Sequence, residues 1–457
     1  MARPFFVKVD WTVVTCILLL AGVSLLTLYS ATAASGGGEL NRVFRQATWF
    51  AVGFLLIILM ISIDYHILSV LAYPLYVAVV AALAAVLAVG EVIQGSQRWI
   101  KVGPISIQPS EMAKIALILV LARYFSNRKK DGVYLFDVIF AGMLLGIPLV
   151  LILKEPDLGS SILLLPIFVA IVFVAGLDLR PLLRIFTFRP ILMPLVLLLA
   201  LATLYFVKIQ FKQYWRVTDK TLTSLEQQGV ATDLLDKLAN LKEKEYTEEK
   251  KFCTEVEKKI GKEPLTAYKA VILESSRPKV RLLAVPFKVV WLNMKEYQRN
   301  RVLTFIDPDS DPLGSGYHIR QSQIAIGSAG FWGKGYMKGK QSQLKFLPEQ
   351  FTDFIFSAFS EEWGFAGSAA VLAIYLTLIL KGLTIAAKAK DQLGRFIAIG
   401  VVTILVVQTF VNVGVTTGVM PVTGLTLPLV SYGGSSIFST SMSLGLLLNV
   451  SYHRFDF

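Results

Sequence analysis

The sequence has few of the residues from which disulfide frameworks and histidine metal sites are built. Its two cysteines, Cys16 in an apolar run and Cys253 in a charged segment, do not indicate a disulfide framework. Its three histidines, His66, His318 and His453, are scattered too widely to suggest a histidine metal site. Charged residues make up only 17%, whereas 54% are hydrophobic and the mean hydropathy is +0.61. Soluble domains lie near about 45–50% apolar, so this composition predicts a polytopic membrane protein.

Roughly ten apolar runs are long enough to cross about 30 Å of hydrocarbon. They cover residues 11–33, 46–63, 67–90, 109–125, 136–153, 159–178, 190–208, 351–380, 396–417 and 432–451. The first run is too long and too weakly flanked for a signal peptide and is predicted to be a retained anchor. The predicted fold is therefore an all-α polytopic membrane protein. Residues 1–208 hold spans one to seven, 209–350 form a large loop, and 351–457 hold spans eight to ten.

Basic residues cluster in connections that fall on one side of the membrane when the spans alternate. They are Arg3, Lys8, Arg128, Lys129, Lys130, Arg180, Arg184, Arg189, Lys381, Lys388, Lys390, Arg395 and Arg454. The positive-inside rule then predicts that both termini are cytoplasmic and that the loop at 209–350 is extracytoplasmic. An outward loop excludes ATP and nucleotide-sugars as easily available substrates.

The loop has two parts of different composition. Its charged block, about 215–290, predicts short soluble helices, with Leu234, Leu238 and Leu241 on one helical face. A second helix there is predicted to end at Gly261, and an apolar stretch over 281–300 is interpreted as a re-entrant or interfacial helix. The remainder, 291–350, is polar and rich in glycine and acidic residues, and it is the predicted catalytic part.

Three acidic residues, Asp307, Asp309 and Asp311, follow one another at alternate positions in this part of the loop. A calcium loop starting at Asp307 would need Gly and Glu where Pro312 and His318 stand, so an EF-hand is rejected. A metal–nucleotide site would need a nucleotide-sugar, which the outward location denies. A solvated turn remains the structural alternative, because Asp-Pro pairs favour turns.

A second polar cluster lies around the start of span four. Glu111 and Lys114 are three residues apart on one helical face, so they are predicted to form an ion pair, which is compatible with lining a polar cavity. Arg98 and Lys101 lie in the outer loop just before, and Arg45 at the start of span two adds another outward cation. Such cations suit a lipid-linked phosphate, although snorkelling is an equally common role.

A third segment, 412–436, contains glycine and proline at a density that breaks a helix near the outer surface. Non-helical backbone at membrane depth is tolerated only where protein or a water-filled cavity covers it. The segment is therefore either a transporter's broken helix or the wall of a binding groove, and its local sequence does not choose between them.

Taken together, six ordered motifs resemble the SEDS family, the shape, elongation, division and sporulation proteins that polymerise peptidoglycan. They are QRWIKVGPISIQPSEMAK, KEPDLGSS, RVLTFIDPDSDPLGSGYHIRQSQIAIGS, GKG, QSQLKFLPEQFTDFIFSAFSEEWGF and NVGVTTGVMPVTGLTLPLVSYGGSS. The elongation branch is the closer match, because division members carry Asn-Pro-Trp where this chain has Asp307-Pro-Asp309. The charged block at 215–290 departs from the family, whose loop is shorter there.

The resemblance implies a bacterial inner-membrane glycosyltransferase that joins lipid II units into a nascent glycan, with an inverting reaction and polyprenyl diphosphate as the leaving group. The family's essential acid corresponds to Asp311, the proposed general base, and Asp309 becomes a turn-former or metal helper. A diphosphate leaves as a stable anion, so charge neutralisation by cations or a divalent metal such as Mg²⁺ or Mn²⁺ replaces a general acid. The sequence does not say whether a metal is used.

The remaining site residues are expectations about substrate binding. The diphosphate side is assigned to Arg45, Arg98, Lys101, Lys114 and Arg320, with Glu111 orienting Lys114. Gln321, Ser322, Glu349 and Asp353 are assigned either to the acceptor side or to a divalent cation, and Ser431 to substrate binding. The implied partners are a class B penicillin-binding protein and membrane lipids, with no nucleic acid. A lipid II flippase and a non-catalytic scaffold for a transpeptidase are the alternative functions.

Overall fold

A computed structural model describes most of the helical part of the chain. It covers residues 9–33, 40–93, 96–102, 105–128, 134–155, 157–176, 222, 225–226, 232–239, 249–260, 301, 304–305, 315–344, 346–347 and 350–454. The chain divides into two compact units. The first comprises Met1–Asp178 with Lys295–Phe457, and the second is Leu179–Met294.

Most of the described part of the first unit is helical. Its helices are α1 (Trp11–Ala33), α2 (Leu40–Ser62), α3 (Tyr65–Val70), α4 (Ala72–Val89), α5 (Pro109–Ser126), α6 (Leu135–Lys154), α7 (Leu158–Val174), α10 (Ser315–Gly327), α11 (Lys340–Gln343), α12 (Ile355–Ala387), α13 (Gln392–Thr417) and α14 (Gly434–His453); α8 and α9 belong to the second unit. Among the described residues, five helices are long and apolar enough to cross a membrane, namely α1, α2, α6, α12 and α13. The predicted helical, polytopic class is confirmed. The number of spans stays a prediction, and span seven (190–208) lies outside the described residues.

One predicted span is divided in the structure. The run predicted at 67–90 is two helices, α3 and α4, which meet at Leu71. Asp64 starts α3 by accepting a hydrogen bond from the His66 amide at 2.9 Å. Pro74 lies in the first turn of α4, where a missing N–H costs nothing, so the second helix begins afresh there.

The connection before α5 is a small sheet, although the sequence predicted only a loop. It consists of β1 (Glu91–Ile93), β2 (Ser96–Val102) and β3 (Ile105–Ile107). The central strand β2 pairs antiparallel with both neighbours. Pairing of its backbone gives the basic segment around Arg98 a defined position next to the start of α5.

Five helices, α2, α5, α7, α12 and α14, begin at the same end of the first unit. Helices α2 and α14 pack in parallel, since a Cβ on Gly434 would meet the Trp49 ring and the Asn449 amide donates to the Met60 carbonyl at the far end. Side chains at the N-terminal ends of α5, α7 and α14 also meet one another. The Tyr432 amide, just before α14, donates to the Phe351 carbonyl just before α12 at 2.8 Å.

The predicted break between the last two helices is confirmed. Helix α13 ends at Thr417, Gly418 adopts the left-handed conformation (φ +78°), and α14 begins at Gly434. The intervening backbone is covered by protein, because Leu427 and Val430 are each only 1% exposed. This covering is what allows a non-helical segment at this depth.

The segment that precedes α12 packs against a kink in this helix at Gly364. Gly364 has φ +66°. The residues on either side of it form backbone hydrogen bonds with Gly330, Phe331, Lys334 and Gly335, each at 3.0 Å. A side chain on Gly364 would meet the Gly333 nitrogen at 2.2 Å, so the close approach requires glycine.

The buried carboxylate of Glu361 secures the same segment by several hydrogen bonds. It accepts from Lys334 Nζ (2.7 Å), from the Gln341 amide (3.0 Å), and from the amide and hydroxyl of Ser342 (both 3.2 Å). Segment 328–347 is therefore held on α12 both by backbone pairing and by a satisfied buried charge.

In the second unit the structure describes two amphipathic helices, α8 (Thr232–Ala239) and α9 (Glu249–Ile260), which pack on each other. Leu238 and Val256 are buried as the periodicity predicted. Helix α9 ends next to Gly261, as predicted. Leu241 and the predicted interfacial helix at 281–300 lie outside the described residues.

Candidate functional site

The end of the first unit at which five helices begin has the electrostatic character of an anion site. Unpaired N–H groups and aligned peptide dipoles give each helix N-terminus a partial positive charge. A negative group placed there is favoured, and several converging N-termini reinforce one another. The predicted polar clusters of spans two and four and of the loop after α13 all lie at this end.

The predicted ion pair between Glu111 and Lys114 forms within α5. Lys114 Nζ lies 2.7 Å from Glu111 Oε2, and the two residues are 1% and 7% exposed. Ser439 of α14 donates a further hydrogen bond to the same carboxylate oxygen. Burying two charges is costly, so this pair depends on its own geometry and on the added hydroxyl.

A second acid, Asp157, joins three elements at this end. Its carboxylate accepts hydrogen bonds from Gln108 Nε2 (3.0 Å), Ser110 Oγ (3.2 Å) and the amide and hydroxyl of Ser160 (3.2 and 2.7 Å). Arg98 Nη1 from β2 lies 3.8 Å away. Asp157 therefore caps α7 while it ties the start of α5 to the basic strand.

The neighbouring acid, Glu155, is buried without such support. Its residue is 0% exposed, and neither carboxylate oxygen has a hydrogen-bond partner. Arg98 Nε donates to the Glu155 backbone carbonyl at 3.3 Å and does not reach its carboxylate. Burial, together with the charge of Asp157, raises the pKa of Glu155 to about 8 against the opposing charge of Arg98. The side chain is thus a neutral acid at pH 7.

The segment after α13 packs over the start of α7. A Cβ on Gly159 would lie 2.8 Å from the Thr423 carbonyl oxygen, so only glycine allows this approach. A Cβ on Gly424 would lie 3.7 Å from Arg301 Nη1 and 3.9 Å from Asp353 Oδ2. Asp353 is thereby placed at the same end as Asp157, and its role at the acceptor side or at a cation stays a prediction.

Of the two arginines near the start of α2, the structure directs Arg42 towards this end. Its guanidinium lies over the Phe351 ring at 4.6 Å, whereas Arg45 is exposed. Gln46, one turn after Arg42, is fully buried and donates to the Ser431 carbonyl at 3.1 Å. The face of α2 that contains Arg42 and Gln46 therefore packs on the segment before α14.

Several predicted residues have their polar groups engaged inside the protein. The Ser322 hydroxyl lies 2.6 Å from both Ser357 Oγ and the Thr416 carbonyl. The Ser431 hydroxyl donates to the Thr352 carbonyl at 2.6 Å and accepts from the Leu427 amide at 2.8 Å. Both serines thus fix backbone positions, and their roles as substrate ligands stay predictions.

The structure gives less detail on the other predicted site residues. In α10, Arg320 is exposed and Gln321 is half-buried. Lys101 lies on β2, and its side chain is outside the described part. Asp307, Asp309, Asp311 and Glu349 also lie outside the described residues. Among the residues that are described, no three His, Cys, Asp or Glu side chains gather to hold a metal ion.

Sequence reasoning missed Arg42, Gln46, Asp157 and Glu155 as members of this end. Arg42 and Gln46 are one helical turn apart, a spacing that would have grouped them on one face. Asp157 precedes Leu158-Gly-Ser-Ser at the start of a helix, which is a capping signal. Glu155 lies in the motif KEPDLGSS, which carries the family resemblance, but its burial depends on contacts distant in the sequence and was not predicted.

Comparison with known proteins was made on both sequence and structure. The family model of the FtsW/RodA/SpoVE cell cycle proteins matches residues 10–228 and 270–455. The chain is 33% identical to the peptidoglycan glycosyltransferase RodA of Treponema pallidum, covering 97% of each protein. It is similarly 33% identical to the peptidoglycan glycosyltransferase MrdB of Escherichia coli K12, covering 98% of this chain and 95% of that protein.

Solved structures agree with these matches. One is a chain described under the structural coordination of polymerization and crosslinking by a peptidoglycan synthase complex; it is 30% identical, with a TM-score of 0.66 and coverage of 98% and 99%. Rod shape determining protein RodA of Thermus thermophilus is 25% identical, with a TM-score of 0.59 and coverage of 99% and 100%. The SEDS resemblance is confirmed: the chain belongs to the FtsW/RodA/SpoVE family.

Proposed function

We propose that this protein is a peptidoglycan glycosyltransferase of cell elongation that polymerises lipid II. Its relatives RodA and MrdB are named peptidoglycan glycosyltransferases. The observation that carries the proposal is the convergence of five helix N-termini with the buried Lys114 and with Arg98 at one end of the bundle. This arrangement favours a multiply charged anion such as a lipid diphosphate.

In the proposed reaction, Asp311 accepts the proton of the acceptor's sugar hydroxyl. The hydroxyl oxygen bonds to the anomeric carbon of the donor while the bond from that carbon to the diphosphate oxygen breaks. The electron pair of the broken bond leaves on the diphosphate, and inversion follows from attack on the opposite face. Because the diphosphate is a stable anion, one carboxylate serves as base and no paired acid is needed, in contrast to a glycosidase.

The described residues supply the surroundings of this step. Glu111 holds the Lys114 ammonium at 2.7 Å in a buried position, so the cation is positioned before substrate arrives. Asp157 plays the corresponding part for Arg98 and the start of α5. Arg42 and Asp353 lie at the same end and are assigned to the diphosphate and acceptor sides respectively. Asp309 is the assigned ligand of the proposed divalent cation.

The proposed location is the bacterial inner membrane with both termini cytoplasmic and the N-terminal ends of α2, α5, α7, α12 and α14 outward. The distribution of basic residues supports this orientation. A class B penicillin-binding protein is the proposed partner, in line with the similarity to a chain of a peptidoglycan synthase complex that coordinates polymerization and crosslinking.

The test is to reconstitute the purified protein into liposomes with fluorescent lipid II on both leaflets. We expect glycan chains resolved by gel electrophoresis, and we expect none from the Asp311→Asn protein at equal abundance. Movement of lipid II between leaflets without any polymer would support the flippase alternative instead. Normal polymer from Asp311→Asn would refute the assigned base.

A further inference from the structure

At the end of the bundle opposite the candidate site, a cavity of about 550 Å³ lies between α3, the end of α5 and the start of α13. Its polar lining includes His66, Arg123, Asn127, Arg128 and Asp391. None of these residues takes part in the site described above. The cavity is therefore a separate feature with its own chemistry.

One side of the cavity has a net negative charge. The two ring nitrogens of His66 lie 2.8 Å from Asp64 Oδ1 and 2.7 Å from Asp391 Oδ2. A neutral imidazole has a single N–H, so both contacts are hydrogen bonds only when the ring is protonated. Partial burial lowers the pKa of His66, but its hydrogen bonds to Asp64 and Asp391 and their charges outweigh this and raise the pKa overall. Even with a protonated ring, the two carboxylates leave one negative charge in excess.

On the other side of the cavity is Arg123, a cation that has no acid beside it among the described residues. Arg123, in the last turn of α5, reaches Ser69 Oγ at 3.4 Å, and no described carboxylate lies within 4.0 Å of its guanidinium. Arg128, in contrast, is balanced by Asp137 at 3.0 Å and contacts the Tyr124 hydroxyl at 2.5 Å. The cavity thus offers one surplus positive and one surplus negative charge, on different helices.

The surface beside the cavity is apolar. On and after α3, the helix that contributes His66, Ile67, Val70 and Leu71 are 56%, 63% and 51% exposed. In a membrane protein such side chains face hydrocarbon, so the cavity lies where the apolar belt meets the polar end of the bundle. A phospholipid would cover these side chains with its acyl chains, whereas a small soluble zwitterion would leave them bare.

We propose that this cavity binds the phosphoethanolamine headgroup of an aminophospholipid, with the phosphate on Arg123 and the primary ammonium against the Asp64–His66–Asp391 group. The primary ammonium has three N–H donors for carboxylates, and a trimethylated headgroup has none. A headgroup with a phosphate but no ammonium would leave the acidic side unmatched. The preferred ligand is thus distinguished from both phosphatidylcholine and phosphatidylglycerol.

The test is native mass spectrometry of the full-length protein with equal amounts of phosphatidylethanolamine, phosphatidylcholine and phosphatidylglycerol of identical acyl chains. We expect phosphatidylethanolamine to be retained about tenfold better than either competitor, the effect of one charge-assisted contact. Arg123→Gln should weaken the retention of all three lipids, because each contains the phosphate, whereas Asp64→Asn should remove the preference for phosphatidylethanolamine. Arg395→Gln is the matched control, because Arg395 is an exposed arginine near the start of α13 that does not line the cavity.

Three outcomes would overturn the proposal. Equal retention of phosphatidylglycerol would mean that the site selects an anion and not a zwitterion. Equal loss in the Arg123→Gln and Arg395→Gln proteins would mean that general basic charge is responsible. Displacement of the lipid by free phosphoethanolamine at the same concentration would assign the cavity to a soluble ligand. Asp64→Asn provides a second variant for the acidic side, should Arg123→Gln reduce the amount of folded protein.

Discussion

The two ends of the helical bundle differ in how deeply their charged side chains are buried. At the candidate site, Glu111, Lys114 and Asp157 are 7%, 1% and 4% exposed and are held by short hydrogen bonds. At the other end, the side chains of His66 and Arg128 are 50% and 45% exposed. Buried pairs cost desolvation that exposed pairs do not, so the site end must derive something other than stability from them. We infer that the buried pairs serve to fix cations where a diphosphate would lie.

The largest effect is expected from breaking the buried pair on one side only. Lys114→Met would leave the Glu111 carboxylate buried with its cation missing, at a cost of about 3–5 kcal/mol. We expect a marked fall in the thermal midpoint in detergent and loss of glycan synthesis. The double variant Glu111→Gln with Lys114→Met should regain most of the stability but no activity. Equal midpoints for single and double variants would contradict the account.

A smaller loss is expected when the shared acid of α5 and α7 is made neutral. Asp157→Asn keeps one acceptor oxygen but loses the charge that faces Arg98 and caps α7, a change worth about 1–3 kcal/mol. Glycan synthesis should fall with it, because Arg98 loses its anchor. Ser160→Ala, which removes only one donor to the same carboxylate, is the control, and thermal unfolding of both should rank the two changes. A larger effect of Ser160→Ala would refute the role given to Asp157.

Glu155 provides a pH test of the same comparison. Its pKa of about 8 in the folded protein exceeds the ordinary value of 4.5, so above pH 4.5 the unfolded chain loses a proton that the folded protein retains. This residue therefore costs stability as pH rises from 4.5 to 8, at about 1.4 kcal/mol per unit, and the cost is constant above 8. We expect Glu155→Gln to raise the thermal midpoint progressively over pH 5–8. A gain independent of pH would show that Glu155 is ionised in the fold.

The smallest effect is expected from a widely spaced pair away from the site, whose lysine is exposed and whose acid is 11% exposed. Lys381 Nζ lies 3.8 Å from Asp10 Oδ2, and the lysine side chain is 39% exposed. Exposed ion pairs contribute less than about 1 kcal/mol, so Lys381→Gln should leave both the thermal midpoint and glycan synthesis nearly unchanged. A loss as large as that of Lys114→Met would remove the contrast between the two ends.

Much of the helical framework could be predicted from local sequence. Pro109 marks the first turn of α5, and Gly418 marks the end of α13, because each residue has a backbone preference that needs no distant contact. The pair Glu111 and Lys114 was predicted for the same reason, since three residues along a helix bring side chains to one face.

The parts that were not predicted depend on distant contacts. Arg45 was assigned to the site and Arg42 was missed, because hydropathy around α2 does not reveal which face meets the segment before α14. The burial of Glu155 and the locking of Gly333 against Gly364 likewise join residues far apart in sequence. The acids of the loop, including Asp311, lie outside the described residues, so their assignment stays a prediction from the family resemblance.

The most direct test of the central claim is glycan synthesis from lipid II by purified protein in detergent, where no translocation is needed. We predict that the wild type forms polymer and that Asp311→Asn forms none while keeping the wild-type thermal midpoint. Polymer formation by Asp311→Asn at the wild-type rate would contradict the proposed mechanism.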